Sequence, residues 1–181
     1  LEGDELTAKQ LDRDSVLTRL KPILENPNIG KIGQHLKYDA HILSHYDIDL
    51  LGSIHARPNN WAMDTMLASY VINAAITRHG MDDLARHYLQ TQTISFEDVA
   101  GKGAKQVTFD QVAIDIASDY ACEDADITYQ LFEVFSVELA NDANNAKLLH
   151  ELEIPTAVIL CQMEANGILI KRPFLNELSK R

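Results

Sequence analysis

Asp119-Tyr-Ala-Cys-Glu-Asp-Ala-Asp-Ile-Thr-Tyr-Gln-Leu131 reads as the opening of a long helix, because Ala121, Ala125, Ile127, Thr128, Leu131, Phe132, Val134 and Phe135 recur at helical spacing. The opposite face carries Asp119, Glu123, Asp126, Gln130 and Glu133, which make a solvated surface. Asp124 stands apart from those acids. It shares a stripe with Tyr120, Ile127, Leu131 and Val134, so its carboxylate falls among apolar neighbours with Tyr120 one turn away. An ionised carboxylate on such a stripe is costly unless a cation or hydrogen-bond donors hold it.

Upstream, Gly33-Gln-His-Leu-Lys-Tyr-Asp39-Ala-His-Ile-Leu43 has the same anomaly. The apolar run Ile29 to Gly33 predicts a buried strand feeding a helix from about His35 to Tyr46, with Leu36, Ala40 and Leu43 inward and Asp39 beside them. Two inward acids on two helices suggest a shared hard cation, Mg²⁺ or Mn²⁺. The competing explanation is that backbone donors or an arginine satisfy each acid, and that Tyr120 is ordinary core packing.

The 181 residues are 46% hydrophobic, enough for one substantial core. A net charge of −11 argues against a broad basic nucleic-acid surface but not against a site that grips a strand end through metal ions. Cys122 and Cys161 make no disulfide framework and read as buried thiols in a reducing compartment. No transmembrane run or signal peptide is evident. A chain that opens on Leu1 is expected to be a piece of a longer protein.

Elsewhere the pattern predicts a first helix over Asp12 to Glu25, with Val16, Leu17, Leu20, Ile23 and Leu24 inward and a kink or break at Pro22. Asp47 to Asn60 reads as a loop. Asp64 caps a helix running to about Asn73, with Met66, Leu67, Tyr70 and Val71 inward, and a short helix covers Asp82 to Leu89. Residues 90 to 107 look irregular; Gly101-Lys-Gly-Ala-Lys105 fits a flexible basic loop better than a phosphate-binding loop. Thr108-x-x-Gln111 has the form of a capping box. A boundary falls at Asn141 to Asn145, followed by a helix to Asn166, a short strand Ile168 to Ile170 and a helix begun by Pro173. His41 and His45 have the spacing of a helical zinc pair, without evident further ligands, and no nucleophile elbow exists.

In order, Gln34 to Asp39, Met63-Asp-Thr-Met66, Arg78-His-Gly-Met-Asp82, Thr93 to Glu97 with Gly101-Lys-Gly103, and Tyr120 to Asp126 resemble successive blocks of the 3′→5′ proofreading exonuclease domain of bacterial DNA polymerase I. Glu153-Ile-Pro155 through Ile168 resembles the entry into the polymerase domain of the same family. The resemblance implies an α/β, ribonuclease-H-like exonuclease fold, helix-rich here, over residues 1–144, with the start of the polymerase domain over 145–181. It implies a cytoplasmic enzyme whose four carboxylates and one tyrosine hold two divalent metals, Mg²⁺ or Mn²⁺, against the terminal phosphodiester of a single-stranded DNA 3′ end.

By the same resemblance, Asp39 and Asp124 are metal ligands, Tyr120 positions the attacking water, Phe96 packs on the 3′-terminal base, and Arg78 lies near the scissile end. His35 stands where the family usually has asparagine and is a candidate contact to phosphate or water. The family's first two carboxylates, an Asp-x-Glu on a strand, are expected ahead of Leu1, so the chain alone is expected to have weak or no nuclease activity and to self-associate through exposed sheet edges. A related exoribonuclease and a non-catalytic scaffold are the alternatives. The polymerase-like tail speaks against the first, and intact Asp39, Tyr120 and Asp124 against the second.

Overall fold

A computed structural model describes residues 10–52, 61–76 and 78–180. Its organising element is the 28-residue helix α6 (Ile114–Asn141), which buries Ile127, Leu131, Phe135 and Leu139. These four lie at steps of four, one stripe of a helix, so a single face meets the core. Tyr88 packs edge-on against Phe135 with ring centroids 4.9 Å apart.

Around α6 the chain runs α1 (Arg13–Leu24), β1 (Lys31–Gly33), α2 (Leu36–Ser44), β2 (Trp61–Asp64), α3 (Thr65–Ile72) and α4 (Met81–Leu84), which continues as a π turn over Ala85–Leu89. After α5 (Phe96–Ala100) and α6 come α7 (Ala143–Leu148), a π turn at Leu149–Glu153, α8 (Ile154–Asn166) and α9 (Arg172–Leu178). Among the described residues the sheet is one parallel pair, with Gly33 in register with Asp64. Helix α6 packs on α3 and β1, and α8 packs on α2. Leu149, Ile154, Ala157, Val158 and Cys161 join the same buried cluster as α6. No helix among the described residues is long and apolar enough to cross a membrane.

Several local expectations are corrected. Helix α1 runs through Pro22 without splitting, and Leu20 and Ile23 are 42% and 51% exposed, because the side of α1 that carries Ile23 borders an open apolar groove instead of a covering element. The strand Trp61–Asp64 was not anticipated, and the rest of the predicted loop, residues 53–60, lies outside the described residues. Helix α3 turns Thr65, Ala68 and Ser69 inward and leaves Tyr70 51% exposed. The two hydroxyls are satisfied locally: Thr65 Oγ1 donates to Gln34, and Ser69 Oγ donates to the Met66 carbonyl.

Thr108 caps nothing with its side chain. It leads into a single 3₁₀ turn, Phe109–Gln111, before extended backbone at Val112, and α6 begins at Ile114. The reciprocal capping box is instead Ser95 with Asp98, opening α5, where a continuous irregular segment was expected; an aspartate stands where the pattern has Glu or Gln. Ile168 and Leu169 form no strand; they follow the positive-φ Gly167 and are each 91% exposed, with no strand partner among the described residues. Cys161 is buried as expected, but Cys122 is exposed, because no element among the described residues covers α6 at Ala121 and Cys122.

Candidate active site

The site is set by one buried carboxylate at the end of β2. Asp64, 1% exposed, accepts the backbone N–H groups of Met66 at 3.0 Å and Leu67 at 3.4 Å, capping α3. It also accepts those of His35 at 3.1 Å and Leu36 at 2.8 Å, the first amides of α2. One side chain thus satisfies the opening donors of two helices, each of which would otherwise be an orphan. His35 sits at φ 65°, a left-handed conformation in which asparagine and histidine are among the tolerated non-glycine residues. Burial pushes the Asp64 carboxyl up from its ordinary value, and the four amides pull it back in part.

Helix α2, fixed in this way, carries Asp39 to the rim of a cleft of about 470 Å³. Asp124 reaches the same cleft from α6, and these two are the charged side chains among its described lining residues. Asp39 is exposed, not buried as its place beside Leu36 and Ala40 suggested, because it lies at the open edge of the α2 stripe. Desolvation by the cleft walls, and then the Asp64 charge, push its carboxyl up, while His35 pulls it down. Asp124 is half-buried; burial pushes its carboxyl up, the Tyr120 hydroxyl lowers it, and Asp82 and Glu123 raise it again.

Tyr120 donates its hydroxyl to Asp124, and burial together with that negative charge pushes the phenol up to about 12. The phenol is therefore an O–H donor throughout the neutral range. In an ultraviolet titration of the phenols, Tyr120→Phe is expected to remove a transition near pH 12, and Asp124→Asn to move that transition down, since the Asp124 charge, the second cause of the shift, disappears. A Tyr120 that ionises at the ordinary 10.0 would contradict this environment.

The other acids near Asp124 have structural partners. Asp82 accepts from Thr93 Oγ1 at 2.8 Å, and Glu123 accepts the Ile94 N–H at 2.6 Å. They hold the strap that delivers Phe96 beside Tyr120, ring centroids 6.4 Å apart. Phe109 completes a three-ring group, 6.2 Å from Phe96 and 5.9 Å from Tyr120. Neither Phe109 nor the double cap by Asp64 is announced by the sequence. Phe109 has no motif around it, and Asp64 looked like an ordinary cap because β2 was hidden behind the Pro58-Asn-Asn60 turn residues.

His35 is exposed beside Asp39, its ring stacked on Tyr38 at 6.0 Å. Arg78 is exposed in the turn before α4; its neighbour His79 accepts Gln34 Nε2 at its carbonyl, 2.9 Å away, and Gln34 lines the cleft. Phe96, Arg78 and His35 do not themselves line the cleft among the described residues. The described residues contain no group of three or more His, Cys, Asp or Glu placed to hold a metal, and His41 and His45 face only each other as a possible pair, 5.2 Å apart.

Comparison with known proteins shows the family of the chain. The family described as 3′-5′ exonuclease matches residues 4–140. The DNA polymerase I of Pseudomonas aeruginosa is 45% identical over 172 residues, covering 95% of this chain and 18% of the relative. That of Rhizobium leguminosarum is 40% identical over 179 residues, 99% of this chain and 17% of the relative. The DNA polymerase of Escherichia phage T5 is 28% identical over 167 residues, 87% of this chain and 19% of the relative. The chain thus spans less than a fifth of the length of these relatives. It belongs to the 3′-5′ exonuclease domain family of the DNA polymerase I type.

Proposed function

We propose that this chain is the proofreading part of a DNA polymerase I, ribonuclease-H-like in fold, which removes 3′-terminal nucleotides from single-stranded DNA with the help of Mg²⁺ or Mn²⁺. Residues 1–144 form the exonuclease part and 145–181 the entry into the polymerase part. The observation that carries the reading is the meeting of Asp39 and Asp124, from two separate helices, on one cleft. Two carboxylates as the charged groups on one cleft suit a hard divalent cation. Asp39 and Asp124 would hold it, and in such sites the cation supplies Lewis-acid stabilisation of the phosphoryl oxygens.

The chain's own groups divide the remaining work. Tyr120, kept protonated, donates to Asp124 and presents its oxygen as an acceptor that orients a water. Phe96, 41% exposed, offers a ring face to the terminal base. Arg78 and His35, both exposed, are the proposed contacts to phosphate oxygens. Two carboxylates are few for a hard cation that takes six oxygens, so the chain alone should act slowly. A 5′-labelled single-stranded oligonucleotide in Mn²⁺ is expected to shorten slowly from its 3′ end, and Asp124→Ala to stop this. Shortening that persists in Asp124→Ala would overturn the reading.

A further inference from the structure

The strap between α5 and α6 is folded back on itself. Gly101, at φ 82°, reverses the chain after α5, and the Val107 N–H donates to the Ala100 carbonyl at 2.8 Å. A Cβ at Gly101 would lie 3.2 Å from the Lys105 carbonyl oxygen, so the reversal is tight as well as left-handed. Buried Ala100 and Val112 pin the two ends of this fold. The result is that Phe109 returns to lie against both Phe96 and Tyr120. Phe96 and Phe109 are each 41% exposed, although a phenylalanine held only for packing is normally covered.

We propose that Phe109 is a second base-binding residue of the exonuclease site, stacking on the nucleobase next to the 3′-terminal one while Phe96 takes the terminal base. The inference rests on the proposed exonuclease function. Two half-exposed rings are the size of one or two unstacked bases and far below the area of a protein interface. They are continuous with Tyr120 and hence with the Asp124 cleft. Of the two lysines between residues 90 and 113, Lys102 is ion-paired with Glu97 at 2.8 Å, and Lys105 at the tip of the same fold is the cation that can meet the phosphates of a strand whose bases lie on the rings. Stacking of this kind is sequence-tolerant, as removal of any mispaired end requires.

The test is fluorescence anisotropy with a 5′-labelled dT hexamer in EDTA, so that nothing is hydrolysed. Phe109→Leu keeps the apolar volume and removes the π face; it is expected to weaken binding about ten-fold, the scale of one base stack, while Phe109→Tyr binds like wild type. An oligonucleotide lacking only the second base from the 3′ end should lose about the same ten-fold against wild type and no more against Phe109→Leu. Equal affinity of wild type and Phe109→Leu for the intact oligonucleotide, or full sensitivity of Phe109→Leu to the missing base, would overturn the assignment. If wild type itself fails to bind the hexamer, the exonuclease reading falls and this inference with it.

Discussion

Asp64→Ala is expected to destabilise the chain by about 3–5 kcal/mol, a large part of the margin of a domain this size. The substitution strips the caps from α2 and α3 together and leaves four backbone N–H groups in a buried place, each cap alone being worth about 1 kcal/mol. Asp64→Asn should lose less, about 1–3 kcal/mol, because its carbonyl still accepts at one oxygen while its NH₂ faces a donor. Denaturant unfolding followed by circular dichroism measures both. The wild type should also carry a pH slope that Asp64→Asn lacks. Burial raises the native pKa above the unfolded 3.8, so the native state holds the proton more tightly; this group's contribution is fully present below 3.8 and is lost as pH rises through the raised native value. An Asp64→Ala variant within about 0.5 kcal/mol of wild type would mean that the four amides find other partners.

Asp124→Ala is expected to do the opposite: to spare stability and remove function. Its carboxyl is half-buried, pushed up by that burial and by Asp82 and Glu123, and held by the Tyr120 hydroxyl, so its removal trades one hydrogen bond against a costly charge. The change in unfolding free energy should stay within about 1 kcal/mol. Metal affinity should fall on the order of 100-fold or more, since loss of even an outer-shell partner costs 10–100-fold and Asp124 is one of two carboxylates on the cleft. Asp39→Ala should behave in the same way, because the two acids reach the cleft from independent helices and neither replaces the other.

How far the sequence reveals this arrangement depends on the kind of signal. The stripe of α6 is legible because Ile127, Leu131 and Phe135 repeat at the helical period, and Asp124 is conspicuous because it interrupts an apolar series. Asp39 is legible as an anomaly for a partly wrong reason. Its neighbours Leu36 and Ala40 are buried, but Asp39 lies at the edge of their stripe and faces the cleft. Asp64 is illegible as the keystone of the site, because what makes it one is the register of β1 with β2, a contact between residues some thirty positions apart. Phe109 is hidden in the same way, since its meeting with Phe96 and Tyr120 depends on a reversal at Gly101 that no local pattern announces.

Isothermal titration of Mn²⁺ into the chain, with Asp39→Ala and Asp124→Ala alongside, tests the central claim most directly. A saturable heat in the wild type that disappears in both variants, each shown to be folded, is the result expected if the two carboxylates form one cation site. Binding that is unchanged in Asp124→Ala would contradict it.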